Sequence, residues 1–194
     1  IEFKHRKFRN LEPNFLCAMG ADDPRKNTGN LIRAFISQSS HQKLKVGLKI
    51  FGLQNIKSFL QNENLDSDLI SQHNISLLPF LTEKEKYNLM GSSIGFVYLS
   101  KSEGFGIPII EAQALGKRCL VSSSSSCKEI AGPYSLTVDP WNLGEIKDGI
   151  VRLINKCLED TTIIKDDLTE IEEMKDDIYI EKSYTNNGTI LDNE

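Results

Sequence analysis

No apolar run in this sequence approaches the roughly twenty residues a helix needs to cross a bilayer, and its first residues do not read as a signal peptide. The four cysteines, Cys17, Cys119, Cys127 and Cys157, form no Cys-x-x-Cys pair. That spacing sets aside zinc ribbons and thioredoxin-like redox motifs and leaves small buried thiols suited to a reducing, cytoplasmic interior. The three histidines, His5, His41 and His73, stand alone, so no metal-ligand spacing is present. Positive charge is not in excess either. With 23 Lys and Arg against 27 Asp and Glu, the formal charge is -4 and the pI is near 5.5, which argues against general nucleic-acid binding and makes any anion site a local one. The turn after the first expected strand lacks Gly-x-Gly-x-x-Gly, so a dinucleotide dehydrogenase is disfavoured.

What the 194 residues do hold is a regular alternation. Short apolar runs, Phe15–Met19, Val46–Phe51, Ile75–Pro79, Gly95–Ser100, Lys117–Val121 and Ser135–Pro140, predict six strands. Between them lie segments with helical spacing: Leu31 to Ile36, Asn55 to Gln72 with a break around Glu63-Asn64, Thr82 to Gly91, a helix opening near Pro108, a short one at Cys127–Ala131, and one patterned by Leu143, Ile146, Ile150, Val151, Leu153 and Ile154. Thr82 and Glu85 form a capping box, and Ser126, the last of five consecutive serines, is read as the N-cap of the short helix. Strands that are continuously apolar rather than alternating belong to a parallel sheet covered on both sides. The expected fold is therefore α/β, a Rossmann-like parallel sheet of about six strands with helices on both faces. Residues 1–13 are expected to be a linker or N-terminal extension, 14–158 the folded domain, and 159–194 an acidic helical segment. The cations Lys4, Arg6, Lys7 and Arg9 suit either a linker or a patch touching anionic lipid headgroups.

Two strand-to-helix turns carry the chemistry. After the fourth strand comes Ser102-Glu103-Gly104-Phe105-Gly106-Ile107-Pro108, with Pro108 where a first helical turn accepts it. A glycine turn feeding a helix presents free N–H groups and the positive end of a dipole, a setting for phosphate. Glu103 and Glu111, with seven residues between them, flank this cradle; carboxylates there suit hydroxyl groups rather than phosphate. After the first strand, Pro24-Arg25-Lys26-Asn27 places two cations before a helix, where they oppose its dipole unless an anion is drawn to the same spot.

The Glu103–Glu111 pair around Gly-Phe-Gly-Ile-Pro, together with Pro-Arg-Lys-Asn, resembles the C-terminal, donor-binding domain of retaining glycosyltransferases of the GT-B fold, family 4, over residues 14 to 156. Ser125, Ser126, Glu129, Ala131 and Gly132 also match the surface-polysaccharide branch of that family. The resemblance implies transfer of a hexose from a nucleoside diphosphate sugar to a hydroxyl with retention, without metal or other cofactor. It implies that Lys26, with Arg25, stabilises the departing diphosphate and that backbone N–H groups of Gly104, Phe105 and Gly106 hold phosphate or sugar. It further implies that Glu103 holds the sugar, Glu111 the ribose diol, and the turn at Phe80 and Leu81 the base. Many members carry an arginine six residues before the lysine; here Gly20 stands there. The implied partners are the nucleotide sugar, GDP-mannose by likeness to polysaccharide mannosyltransferases, an N-terminal acceptor domain, and a peripheral membrane or lipid-linked acceptor, with the protein in the cytoplasm or at the inner face of the membrane. A non-catalytic nucleotide-sugar-binding or scaffold subunit is the alternative.

Overall fold

A computed structural model describes residues 14–38 and 43–160. The expected linker, His5, His41 and the acidic segment from residue 161 onward lie outside the described residues.

Six strands, β1 (Phe15–Met19), β2 (Gly47–Phe51), β3 (Ile75–Leu77), β4 (Gly95–Tyr98), β5 (Arg118–Ser122) and β6 (Leu136–Val138), form one sheet in the order β3-β2-β1-β4-β5-β6. Every pairing is parallel, with Leu16 opposite Leu48 and Ala18 opposite Val97 at the centre. Between the strands run α1 (Thr28–Ile36), α2 (Ile56–Asn62), α3 (Ser67–Gln72), α4 (Glu83–Ser92), α5 (Ile107–Ala114) and α6 (Ser126–Ile130), and a last helix, α7, occupies 143–160. Right-handed crossovers put the connections running outward through β2 and β3 on one face and those through β5 and β6 on the other. This is the doubly wound, Rossmann-like arrangement the apolar strands predict.

Local chemistry explains the element ends. Thr82 Oγ1 accepts from Glu85 N at 3.3 Å, while the Thr82 N–H donates to Glu85 Oε2 at 2.8 Å, so the capping box forms as read. The polar stretch after β2 breaks into two helices because Asn64 takes a left-handed φ of 50°. Asn55 Oδ1 caps α2 by accepting from Ser58 N, and an Asp66 oxygen caps α3 by accepting from Asp68 N. One cap falls elsewhere than expected. The short helix begins at Ser126 itself, and Ser125, not Ser126, occupies the N-cap position, making no side-chain capping bond. Its hydroxyl is engaged by another loop, which the sequence pattern does not register.

Beneath β1, β4 and β5 a core of Phe15, Cys17, Phe96, Tyr98, Ile109, Ala112, Cys119, Val121 and Cys127 packs α5 and α6 onto the sheet. All four cysteines are buried. Burial pushes the Cys17 and Cys119 thiols up to about 12, which keeps them protonated and inert.

Two glycines hold positions that a side chain would spoil. At Gly20 a Cβ would lie 2.7 Å from Ile50 Cγ2 and 2.9 Å from Thr28 Cγ2. At Gly106 the backbone has φ +81°, and a Cβ would meet Ile130 Cδ1 at 2.8 Å. Gly106→Ala is therefore expected to destabilise the fold by about 1–3 kcal/mol, against about 1 kcal/mol for Thr82→Ala. Urea denaturation of the two variants checks that order.

Candidate functional site

β1 and β4 are neighbours at the middle of the sheet, and the chain leaves them toward opposite edges, so a crevice opens at their carboxyl ends. The turns after both strands carry the residues singled out by sequence. Beyond β1 the chain makes a 3-10 turn, Pro24–Lys26, capped by Asp23, and Asn27 then adopts a left-handed φ of 60° before α1. Asn27 is buried; its Nδ2 donates to Pro140 O at 2.7 Å and its Oδ1 accepts from Asn30 Nδ2 at 2.9 Å. The residue next to Lys26 is thus pinned on two sides.

Lys26 reaches across to β4. Its Nζ donates to Glu103 Oε1 at 2.5 Å and to the Tyr98 hydroxyl at 2.7 Å, and Tyr98 donates to the same Glu103 oxygen at 2.8 Å. The ammonium lies 5.1 Å from the Tyr98 ring centroid. With the Lys26 and Glu103 side chains only 20% and 16% exposed, this is a half-buried ion pair. Burial pushes the Glu103 carboxyl up, but hydrogen bonds from Lys26, Ser100 and Tyr98 outweigh it and hold the group below its ordinary range, hence ionised. Burial and the adjacent Glu103 push the Tyr98 phenol well up, so it remains a donor. Main-chain bonds fasten the two turns together: the Lys101 N–H donates to Arg25 O at 2.7 Å and Ser100 Oγ to the same oxygen at 3.1 Å.

The glycine turn is open. Among the described residues nothing accepts from the N–H groups of Gly104, Phe105 or Gly106, and Phe105 is 60% exposed. α5 begins directly after them with Pro108 in its first turn, so its positive end faces the same space. On the far side, the serine run grips this loop. Ser125 Oγ accepts from the Glu103 N–H at 3.0 Å, Ser126 Oγ donates to Glu103 O at 3.2 Å, and Ser124 Oγ donates to Lys101 O at 2.8 Å. Ser125 has φ 52° and ψ -153°, a region that costs a residue with a side chain about 1–3 kcal/mol.

The remaining sequence candidates divide. Glu111, a turn into α5, belongs to a second cluster: its Oε1 accepts from Lys86 Nζ at 2.8 Å and from the Tyr87 hydroxyl at 2.9 Å, and Lys86 also pairs with Glu83. Arg25 is exposed and turned onto Asp23, its Nη2 donating to Oδ2 at 2.6 Å, which holds the Asp23 carboxyl below its ordinary range. Phe80 is 67% exposed just past β3, whereas Leu81 packs against the core. Tyr98, Lys86, Tyr87 and Ser124 are additions the sequence did not announce, and Ser125 and Ser126, noted there for a helix cap and a family match, prove to hold the Glu103 loop. For Tyr98 a signal existed, a phenol within the apolar run Gly95–Ser100 near the strand's carboxyl end; for the serines the sequence offered a helix cap at Ser126 and a family match at Ser125 and Ser126, neither of which names the loop they hold. Among the described residues no three His, Cys, Asp or Glu side chains gather as a metal set, and no helix is long and apolar enough to cross a membrane.

Comparison with known proteins agrees with this fold. O-antigen chain mannosyltransferase B of Escherichia coli is 24% identical over 147 residues, covering 76% of this chain and 38% of that protein. The serotype-specific mannosyltransferase WbdA of the same organism is 26% identical over 166 residues, 82% of this chain and 19% of that one. The chain therefore spans well under half the length of either relative. Among solved structures, Anabaena HepE in complex with UDP and glucose superposes with a TM-score of 0.60 at 20% identity, over 77% of this chain and 40% of that one. That likeness shows the fold, and the neighbours that share it are GT-B glycosyltransferases. The family model for glycosyl transferases group 1 matches residues 1–166, and the chain belongs to that family.

Proposed function

We propose that this chain is the C-terminal, donor-binding half of a retaining hexosyltransferase of the family 4 type, taking a nucleoside diphosphate sugar and passing its hexose to an acceptor hydroxyl in glycan synthesis. The observation that carries the reading is the junction of Lys26 and Glu103 across the β1–β4 crevice, 77 positions apart in sequence and bridged by Tyr98. An ammonium, three unpartnered N–H groups and a helix N-terminus can neutralise a diphosphate, while an ionised carboxylate beside them accepts from sugar hydroxyls.

In this reading Lys26 leaves Glu103 for the diphosphate and stabilises negative charge building there as the glycosidic bond breaks, the stage at which fixed charges accelerate reaction most. Glu103, released on one oxygen, takes hydroxyl hydrogens of the hexose. The N–H groups of Gly104, Phe105 and Gly106 hold phosphate or sugar oxygens. Glu111 keeps one oxygen on Lys86 and Tyr87 and offers the other to the ribose diol. Exposed Phe80, at the end of β3, presents an aromatic face to the base. Arg25 joins the phosphate only by exchanging Asp23 for it. The step needs no resident metal. We place it in the cytoplasm, with the acceptor group and its docking supplied by an N-terminal domain outside this sequence. The mannosyltransferase relatives suggest GDP-mannose, and the UDP-bound neighbour keeps UDP-glucose in view.

One observation favours the alternative of a binding subunit without turnover: at Gly20, where many family members have a second cation, Ile50 and Thr28 fill the space a side chain would need.

Calorimetry on this chain with GDP, UDP, GDP-mannose and UDP-glucose, and transfer assays on the full-length protein, test the proposal. Lys26→Ala is expected to lower transfer about 100- to 1,000-fold; unchanged turnover rejects its role, and tight binding with no transfer by the wild type selects the binding subunit. Glu103→Gln should weaken only the sugar-bearing ligands, by about tenfold. Glu111→Gln should weaken nucleotide and nucleotide sugar alike by a similar factor, since the ribose is common to both.

A further inference from the structure

We propose that Ser125 is a positioning residue for Glu103, and through it for the sugar of the donor, an inference that rests on the nucleotide-sugar reading above. Three observations converge. Ser125 occupies the N-cap position of α6 yet caps nothing there. Its hydroxyl oxygen instead accepts from the Glu103 N–H at 3.0 Å, while the neighbouring Ser126 hydroxyl donates to Glu103 O at 3.2 Å, so both main-chain polar groups of Glu103 are held from the β5–α6 turn. To make this bond Ser125 adopts φ 52° and ψ -153°, a conformation that suits glycine far better than serine. A side chain retained where the backbone favours none is retained for what its hydroxyl does.

The need for such a hold follows from the loop. Gly104 has open space around it, and the N–H groups of Gly104, Phe105 and Gly106 have no partner among the described residues. The Glu103 carboxylate is directed by Lys26 and Tyr98. Once Lys26 turns to a diphosphate, the serine bonds to the main chain are what keep Glu103 aimed at the hexose. Orientation of this kind acts on the part of the ligand that Glu103 touches and not on the nucleotide.

The test compares wild type with Ser125→Gly, Ser125→Ala and Ser126→Ala, as the full chain, by thermal melting and by calorimetry with GDP, UDP, GDP-mannose and UDP-glucose. Ser125→Gly relieves the backbone and removes the hydroxyl. It should melt no lower than wild type, bind the preferred nucleotide sugar about fivefold more weakly, and bind the bare nucleotide unchanged. Ser125→Ala and Ser126→Ala should repeat the sugar-selective loss. A serine without this positioning role predicts that Ser125→Gly leaves affinity for the nucleotide sugar intact; that result, or an equal loss for nucleotide and nucleotide sugar, overturns the inference. Wild-type chain that binds none of the four probes overturns the nucleotide-sugar reading itself, a result distinct from wild type that binds and variants that match it.

Discussion

The ion pair between Lys26 and Glu103 is the interaction on which the rest of the site depends. Each group is half-buried, so a charge left there without a partner costs more than at an exposed pair and less than the ~3–5 kcal/mol of a fully buried one. Tyr98 meets both and keeps its proton, so the three side chains form a closed set at the end of the central strands. The pair also joins turns that the chain order separates, and the bonds from Lys101 and Ser100 to Arg25 O make that joining a main-chain matter as well.

That juxtaposition is a product of strand order. Because β1 lies between β2 and β4, the chain must leave the centre in two directions, and the turns after β1 and β4 face one another at the carboxyl edge. A different order of the same six strands would have kept the capping box, the buried cysteines and the glycine turn, and lost the crevice. Buffering of the lysine position through Asn27 and Pro140 adds the end of β6 to the same edge.

Much of this was legible beforehand. Continuous apolar runs such as Phe15–Met19 and Gly95–Tyr98 reveal strands buried on both sides, and Thr82 with Glu85, or Pro108 after Gly106, mark helix starts by chemistry that acts within a few residues. The resemblance put Lys26 and Glu103 at one site, on the diphosphate and on the sugar, but their direct contact was not foreseen, since local pattern says nothing of contacts 77 residues apart. Glu111 shows the limit of spacing: its motif partner is Glu103, yet its side chain is tied to Lys86 and Tyr87 on α4, because a helix turn points its residues toward whatever packs beside it. The serine run was read only as a helix cap at Ser126 and a family match, for a related reason. Composition describes the average behaviour of serine, whereas Ser124, Ser125 and Ser126 are fixed one by one by bonds to the Lys101–Glu103 main chain.

The filled space at Gly20 has a consequence for how the site tolerates change. Ile50 and Thr28 leave no room for a side chain there, and the guanidinium of Arg25 is committed to Asp23, so the β1 turn delivers a single ammonium toward β4. Such an arrangement has no redundancy. Among the described residues no other cation is bonded to Glu103 or Tyr98 to take over from position 26, and placing one at position 20 would require coordinated shrinkage at positions 28 and 50, a route of three simultaneous steps rather than one.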